Sequence, residues 1–326
     1  MSKNYLVTGG AGFIGSHIVD LLLEKKNKVY VIDNFSTGKK LNLKNKKVRL
    51  LRHDISIYNT NFENFFKKID VVMHLAGIAD LVPSINNPTR YFDVNVKGTL
   101  NVLEACKKNK IKKIVYAASA SCYGLTKKSS INENFPINIK HPYALSKKLG
   151  EDLVMHWAEV FKLNVTSLRL FNVFGLRSRT SGAYGAVFGV FLAQKLKNKP
   201  LTIVGSGNQT RDFVYVKDVA EAFFKASKLR ENRRILNIAS GKEISVNKIA
   251  SMISKKKIYI SKRPGEPDRS KADITLAKKI LKWKPNISVS EGVEIMLSNI
   301  SDWNKAPVWD KKSIDEATKV WFRYLK

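Results

Sequence analysis

The chain has 326 residues, of which 44% are hydrophobic and 26% are charged, and its formal net charge is +31. This length and apolar content allow a large domain plus a smaller one with a substantial buried core, which excludes disorder as the default state. The sequence opens on an apolar strand without a secretory leader pattern, and its longest nearly apolar run, residues 186–193, is too short to span a bilayer. We therefore expect a cytoplasmic protein with no membrane partner.

The positive charge indicates anionic partners. Nucleic acid is the first candidate, because phosphate backbones select for patches of Lys and Arg. Here Lys far outnumbers Arg and is scattered between apolar residues, and recognised nucleic-acid-binding motifs are absent. We therefore expect a small anionic substrate and no nucleic-acid partner. Cys106 and Cys122 lack the spacing of a disulfide framework or a structural metal site, so we expect reduced thiols and no metal.

The first half of the chain alternates short β-branched apolar segments with helical patterns, which predicts a parallel sheet covered by helices. Strands are predicted at residues 5–8, 29–33, 48–53, 71–75, 114–118 and 166–170. A helix is predicted over residues 143–161, where apolar residues recur at helical spacing.

The regular alternation breaks down after residue 172, where a glycine-rich stretch precedes a helix and a strand at residues 201–204. We therefore predict one domain over residues 1–172, with some later segments returning to its sheet, and a smaller substrate-binding domain over residues 173–326. The second domain ends in an extension, residues 303–326. The aromatic side chains predicted to dock this extension are those of Trp309, Trp321, Phe322 and Tyr324.

The first predicted strand runs into a glycine-rich turn that opens a helix. Gly9, Gly12 and Gly15 permit a tight turn, close approach of a pyrophosphate to backbone N–H groups, and close packing of the helix on the strand. The second strand ends at Asp33, whose carboxylate can accept hydrogen bonds from the adenosine ribose and repel the extra phosphate of NADP. These features predict a Rossmann-type, doubly wound α/β fold that binds NAD.

Further cofactor contacts are expected at the carboxyl ends of the next strands. Asp54 is a candidate for the adenine edge, although a solvated Asp at a strand end explains it nearly as well. Ala76 and Gly77 are small enough to leave room for the cofactor, whereas His74 is interpreted as a packed histidine without a chemical role. The residues assigned to the cofactor site are Gly9, Gly12, Phe13, Ile14, Gly15, Asp33, Asn34, Asp54, Ile55, Leu75, Ala76, Asn95, Tyr143 and Lys147.

Tyr143 and Lys147 lie four residues apart, hence on one face of the predicted helix. A neighbouring ammonium stabilises a phenolate, which lowers the tyrosine pKa from about 10 towards a useful range. The spacing therefore predicts that Tyr143 serves as a general base.

With these motifs the chain resembles the extended short-chain dehydrogenase/reductase family, and most closely its nucleotide-sugar 4-epimerases. The resemblance covers nearly the whole chain. The segments that carry it are residues 8–15, 33–34, 95–99, 119–124, 143–147, 171–175, 210–213 and 263–266.

The resemblance implies an NAD-dependent exchange of configuration at the sugar C4, through a transient 4-keto sugar. Ser119 matches the catalytic hydroxyl that shares a proton path with Tyr143, and Lys147 matches the residue that binds the nicotinamide ribose. Asn172 matches a contact to the diphosphate of a UDP-sugar, which Arg211 and Arg263 would clamp. The family's members also imply a homodimer formed through helices at residues 89–109 and 143–161.

Two further positions bear on the nucleotide and the sugar. Glu266 matches the acidic residue that contacts the nucleotide ribose. Ser270 matches the residue that borders the C2 substituent of the sugar, where relatives limited to unmodified hexoses carry a bulky Tyr. A small side chain leaves room for an acetamido group, so we expect UDP-N-acetylglucosamine and UDP-N-acetylgalactosamine as substrates. UDP-glucose/UDP-galactose and UDP-glucuronate remain alternatives.

Two other functions would share part of this set of motifs. A nucleotide-sugar 4,6-dehydratase needs an acid and a base beyond Tyr143, and related dehydratases supply them as an Asp-Glu pair after the catalytic hydroxyl. Here Ala120 and Ser121 follow Ser119, and neither carries a carboxylate that could serve as that acid or base. A non-catalytic NAD-binding regulator is disfavoured because it would not require Ser119, Tyr143 and Lys147 together.

The assignment of Asp33 predicts the cofactor preference. Asp33→Ala should weaken NAD binding and reduce the preference for NAD over NADP, because the carboxylate both accepts ribose hydrogen bonds and repels phosphate. Titration of the purified wild type and variant with each dinucleotide measures this. Equal affinity of the wild type for NAD and NADP would contradict the assignment.

Overall fold

The computed structural model describes residues 2–125, 130–178, 187–230, 232–262 and 267–325. The strands within these ranges are β1 (Asn4–Thr8), β2 (Lys28–Asp33), β3 (Val48–Arg52), β4 (Val71–His74), β5 (Lys113–Ser119), β6 (Asn164–Leu170), β7 (Asn172–Phe174), β8 (Leu201–Val204), β9 (Thr210–Tyr215), β10 (Arg234–Ile238), β11 (Glu243–Ser245) and β12 (Lys257–Ile260). The α-helices are α1 (Phe13–Glu24), α2 (Thr60–Asn64), α3 (Leu81–Asn86), α4 (Pro88–Phe92), α5 (Gly98–Lys108), α6 (Pro142–Val160), α7 (Val187–Leu196), α8 (Val216–Ala226), α9 (Val246–Ile253), α10 (Thr275–Leu281), α11 (Val289–Ser298) and α12 (Lys311–Tyr324).

The main sheet is parallel, with the strand order β10-β6-β5-β4-β1-β2-β3. The predicted Rossmann-type α/β fold is therefore confirmed, and the six predicted strands all belong to this sheet. The order reverses between β1 and β4, and ligands of doubly wound sheets bind outside the carboxyl ends of the strands at such a point. The seventh strand, β10, was not identified from the sequence.

The main sheet is covered on both faces. On β1, Tyr5 and Val7 point into an apolar cluster shared with α1 and α8, whereas Leu6 points into one shared with α5 and α6. This alternation follows the two-residue period of a strand. Because both faces are buried, the strands read as nearly continuous apolar segments, which made most of them predictable.

A third apolar cluster lies among the later elements. Here β9 pairs in parallel with β7 and antiparallel with β11, and β8 pairs in parallel with β12. Phe174, Phe191 and Trp303 are fully buried in this cluster. Phe13 and Ile14 at the start of α1 pack against this cluster.

The C-terminal helix α12 docks through one narrow stripe. Ile314, Thr318 and Trp321 recur at helical spacing and are almost completely buried, whereas Trp309 before the helix and Phe322 are partly buried. The prediction that Tyr324 helps to dock the extension is wrong, because 62% of this residue is exposed. On the helix Tyr324 lies three residues after Trp321, and it falls outside the stripe.

A buried ion pair fixes α6 against the main sheet. Glu151 on α6 accepts hydrogen bonds from Arg169 on β6, with Nη2–Oε1 at 2.6 Å and Nε–Oε2 at 3.0 Å, and from Ser167 at 2.9 Å. Arg169 also donates to the hydroxyl of Tyr123 at 2.8 Å, which in turn donates to Asn237 on β10 at 2.8 Å. The bidentate geometry compensates both buried charges and links α6, β6 and β10.

Removing one charge of this pair should destabilise the fold. Glu151→Gln leaves Arg169 buried without its counter-charge, and we expect the free energy of unfolding to fall by about 3 kcal/mol. Asp152→Asn is the matched control, because it breaks a surface pair with Lys148 and should cost less than about 1 kcal/mol. Urea unfolding measures both variants. Equal effects at the two positions would contradict a structural role for the buried pair.

Candidate active site

Helix α6, which carries Tyr143 and Lys147, begins at Pro142, with His141 as its N-cap. His141 Nδ1 accepts a hydrogen bond from the N–H of Ala144 at 3.2 Å. Proline suits the first helical position because it has no N–H to satisfy. On this helix Tyr143 and Lys147 share one face, and Glu151 follows one turn later.

The structure brings Tyr143 and Ser119 together at the carboxyl end of β5. The Tyr143 side chain is partly buried and interacts through a hydrogen bond with Ser119. Ser119 Oγ also lies 2.8 Å from Ser121 Oγ and accepts from the N–H of Ser121 at 3.2 Å. The two hydroxyls can therefore share a proton path, as the resemblance implies.

The expected direction of the Tyr143 pKa is corrected by the structure. Burial raises the pKa of Tyr143, and the hydrogen bond from Ser119 offsets only part of that effect. Burial also lowers the pKa of Lys147 to about 7, although the charge of Glu151 acts in the opposite direction. Lys147 Nζ lies 4.4 Å from the ring centroid of Tyr116. The polypeptide alone therefore does not make Tyr143 more acidic, because desolvation outweighs the hydrogen bond from Ser119.

The glycine-rich turn has the geometry that a pyrophosphate site needs. Gly9 has a φ of +72°, and a Cβ on Gly15 would lie 2.2 Å from the carbonyl oxygen of Gly9. Helix α1 starts at Phe13, followed by Ile14, and its N-cap Gly12 supplies no side-chain hydrogen bond. The first N–H groups of α1 are thus without a side-chain cap, as in helices that bind phosphate at their N-termini. These residues fit a dinucleotide.

Asp33 ends β2 beside this turn, where the sequence predicts the ribose contact. Its carboxylate accepts hydrogen bonds from the N–H groups of Ala11 at 2.9 Å and Phe35 at 2.8 Å. Burial raises the pKa of Asp33, while the two hydrogen bonds lower it. Asp33 therefore also holds the glycine-rich turn, a role that its sequence position did not indicate.

Asp54 and its neighbours lie at the carboxyl end of β3. Burial alone would raise the pKa of Asp54, but hydrogen bonds from Ser56, Arg90 and Asn34 hold it well below the usual range. Arg90 Nη2 lies 2.9 Å and Asn34 Nδ2 3.0 Å from Asp54 Oδ2. Ile55 is buried against Gly98, where a Cβ would come within 2.7 Å of the Ile55 side chain. Asp54 is thus an anchored carboxylate and not a freely solvated one.

The segment after β4 packs closely on the glycine-rich turn. The N–H of Leu75 donates to the Thr8 carbonyl and that of Ala76 to Thr8 Oγ1, both at 3.1 Å. Asn95 accepts from the N–H of Ile78 at 2.9 Å and donates to Ser146 Oγ on α6 at 3.0 Å. This places Asn95 between the β4 segment and α6.

His74 has the surroundings of a packed histidine. Its ring nitrogens lie 2.7 Å from Thr8 Oγ1 and 3.0 Å from Thr99 Oγ1. Burial lowers the pKa of His74 to about 3, so the ring is neutral at physiological pH.

One of the predicted substrate residues, Arg211, lines a cleft of about 280 Å³. Its Nη1 donates to the carbonyls of Thr210 at 2.9 Å and Pro267 at 2.7 Å. Asn172 Nδ2 donates to the Asp212 carbonyl on β9 at 3.3 Å. Ser270 is partly buried and follows the cleft residues Asp268 and Arg269. Arg263 and Glu266 lie outside the described residues.

Several residues that organise the site were missed at the level of sequence. Tyr143 and Lys147 are four residues apart, and Glu151 lies four residues after Lys147. Extending this spacing by one helical turn would have identified Glu151. Asp212 receives four hydrogen bonds, from the N–H and Oγ of Ser240 and the N–H groups of Gly241 and Ala272. No local pattern predicts those distant partners.

The chain matches the NAD dependent epimerase/dehydratase family over residues 5–239 and belongs to it. It is 40% identical to a putative UDP-glucose 4-epimerase of Methanocaldococcus jannaschii, over 92% of this chain and 99% of that one. A UDP-N-acetylglucosamine 4-epimerase from Methanobrevibacter ruminantium, solved with UDP-N-acetylmuramic acid, superposes with a TM-score of 0.85. It shares 34% identity over 91% of this chain and 99% of its own. A UDP-glucuronic acid 4-epimerase from Bacillus cereus, solved with UDP-glucuronic acid and NAD, has a TM-score of 0.84 and 33% identity over the same shares.

These matches confirm the resemblance to nucleotide-sugar 4-epimerases and the predictions of an NAD-dependent enzyme and of NAD as its cofactor. In the described ranges no helix is long and apolar enough to cross a membrane. The same ranges contain no cluster of three or more His, Cys, Asp or Glu side chains that could hold a metal. Cys106 and Cys122 are buried free thiols, as expected.

The burial of Lys147 should reduce stability in a pH-dependent way. Its pKa is lower in the folded state than the 10.5 of an ordinary lysine, so the unfolded chain binds more protons between about pH 7 and 10. The free-energy cost of burying the Lys147 ammonium is therefore present in full below about pH 7 and decreases as the pH rises towards 10. Lys147→Met should stabilise the protein on the order of 1–3 kcal/mol near pH 7, and by less near pH 10.

Urea unfolding at the two pH values measures this effect. Lys148→Met is the control, because Lys148 is the next residue of the helix and pairs with the exposed carboxylate of Asp152, so its removal should not stabilise the protein near pH 7. A Lys147→Met variant that is less stable than the wild type near pH 7 would contradict the cost of burying this amine.

Proposed function

We propose that this chain is a UDP-sugar 4-epimerase that interconverts UDP-N-acetylglucosamine and UDP-N-acetylgalactosamine. The observation that carries the reaction type is the cluster of Tyr143, Ser119 and Lys147 at the carboxyl edge of the main sheet, beside a turn that fits a dinucleotide. The matches to 4-epimerases over nearly the whole chain support the same reaction.

In this proposal Tyr143 removes the proton of the sugar 4-hydroxyl. It returns the proton after the 4-keto sugar has rotated to present its other face. Ser119 hydrogen-bonds to Tyr143 and orients the hydroxyl, and Lys147 would hold the nicotinamide ribose. When bound, NAD would supply the hydride acceptor and donor for C4, and its positive charge would favour a phenolate, which burial in the polypeptide alone disfavours. Because each turnover is redox-neutral, we expect NAD to stay bound on purification.

The nucleotide end would occupy the cleft lined by Arg211. A guanidinium suits a diphosphate because its planar fork donates two hydrogen bonds in parallel. Asn172, Arg263 and Glu266 complete the proposed contacts to diphosphate and ribose. The sugar would then point towards Tyr143.

The preference for an N-acetylated sugar rests on the small side chain of Ser270. A tyrosine at this position would fill the volume that an acetamido group needs, and a dense pocket does not absorb such an overlap cheaply. UDP-glucose and UDP-galactose would also fit, since a small residue permits the larger sugar without requiring it.

Two other outcomes of the same first step are separable by product mass. A 4,6-dehydratase product would lack one water, and Ala120 and Ser121 beside Ser119 disfavour it because neither carries a carboxylate. With UDP-glucuronate, a 4-keto intermediate is a β-keto acid that can lose carbon dioxide. Mass spectrometry detects the dehydrated and decarboxylated products, whereas an epimer has the same mass as its substrate and is identified by NMR.

We further propose a cytoplasmic homodimer with two domains divided near residue 172. Leu145, Val160 and Phe161 leave apolar surface exposed on and just after α6, one of the helices through which relatives are expected to dimerise. Nucleic acid and membranes are not proposed as partners. Light scattering of the purified protein measures the oligomeric state.

Ser270→Tyr should selectively slow the reaction of the N-acetylated sugar. The wild type should epimerise both UDP-N-acetylglucosamine and UDP-glucose when products are followed by NMR. We expect turnover of the N-acetylated sugar by the variant to fall about 10-fold or more, while its turnover of UDP-glucose changes far less. Ser270→Ala is the control and should keep both activities, because it stays small.

Two results would refute the sugar assignment: an equal loss of both reactions in Ser270→Tyr, or a wild type without activity on N-acetylated sugars. The second result together with activity on UDP-glucose or UDP-glucuronate would keep the reaction type and change only the substrate.

A further inference from the structure

Helix α12 packs near the start of α6, although it is far from α6 in sequence. It contacts α3, the short helix that follows the β4 segment and itself contacts α6. Its residues lie beyond residues 5–239, the part of the chain that matches the family. The buried stripe of α12 ends at Trp321, of which only 2% is exposed.

Trp321 contacts the catalytic tyrosine through one intervening ring. Its ring centroid lies 6.2 Å from that of His141. The His141 ring in turn stacks on Tyr143 with a centroid distance of 5.9 Å and an interplanar angle of 2°. Tyr91 contacts Tyr143 edge-on at 6.4 Å, and its hydroxyl donates to the Asp80 carbonyl at 2.5 Å. The phenol is therefore held by two aromatic rings, one of which is backed by α12.

His141 has two structural roles at once. Its Nδ1 accepts the hydrogen bond from the Ala144 N–H and so caps the start of α6. Its ring face supports Tyr143, the second residue of that helix. Burial lowers the pKa of His141 to about 4, so Nδ1 stays available as an acceptor at physiological pH. A shift of the His141 ring would disturb both the first turn of α6 and the position of the phenol.

We propose that Trp321 and His141 are positioning residues for Tyr143, so that α12 forms part of the active site. The inference rests on the proposed role of Tyr143 as the base. Neither positioning residue exchanges a proton with the sugar. Trp321 fixes the plane of the His141 ring, and that ring fixes the direction of the Tyr143 hydroxyl.

Loss of this support should lower kcat more than it changes KM. Removing a buried indole leaves a void beside His141, which the ring can enter by rotating. A misplacement of about 1 Å at a reacting group can cost on the order of 100-fold in rate. The substrate cleft lined by Arg211 does not include α12, so binding of the nucleotide should persist.

The test compares four variants of the full chain with NAD bound, on whichever UDP-sugar the wild type epimerises. We expect Trp321→Ala to lower kcat about 10- to 100-fold with KM within about 3-fold, and Trp321→Phe to restore kcat to within about 3-fold of wild type. His141→Asn keeps an N-cap acceptor but removes the ring, so it should retain thermal stability and lose kcat. Tyr324→Ala is the matched control, because it truncates an exposed aromatic side chain of the same helix and should behave like the wild type.

Wild-type kcat in Trp321→Ala or in His141→Asn would overturn the inference, as would a rise in KM without a fall in kcat. If Trp321→Ala does not fold, His141→Asn alone decides between the two outcomes. A wild type that epimerises no UDP-sugar would refute the proposed function instead, so the two failures are distinguishable.

Discussion

The ion pair between Glu151 and Arg169 is the constraint on which the geometry of the site depends. Both charges are buried, and each is compensated by the other and by neutral partners such as Ser167 and Tyr123. The pair restricts the rotation of α6 relative to β6, because a bidentate contact requires a particular mutual orientation of the two side chains. Tyr143 and Lys147 precede Glu151 by two turns and one turn on the same helix. Their positions over the carboxyl edge of the sheet follow from that contact.

Burial at this edge of the sheet shifts the pKa values of Tyr143 and Lys147 in directions that do not favour catalysis. The pKa of Tyr143 is raised and that of Lys147 is lowered to about 7, both mainly by desolvation. Both shifts favour the neutral forms, which are the less reactive ones for a base and its supporting cation. The positive charge of NAD, when bound, would act on Tyr143 in the opposite direction to burial. Catalysis is thus expected only when NAD and sugar are bound together.

The parts of this arrangement that could be predicted from the sequence are those encoded in short segments. The glycine-rich turn, Asp33 at the end of β2, and Tyr143 four residues before Lys147 each depend on local spacing. The strand β10, the pair of Glu151 with Arg169, and the contact of Trp321 with His141 join segments far apart in the chain. Tyr324 shows the same limit, since only the rotation of α12 against its neighbours decides which aromatic residue is buried.

Tyr143 is the group to which proton transfer is assigned, and its removal tests the proposed chemistry most directly. Tyr143→Phe deletes only the hydroxyl, so the fold and the bound NAD can be checked before epimerisation is followed by NMR on the UDP-sugar that the wild type converts. A loss of turnover on the order of 100- to 10,000-fold with NAD retained is the predicted result. Turnover by Tyr143→Phe within a few-fold of the wild type would contradict the role of Tyr143 as the catalytic base.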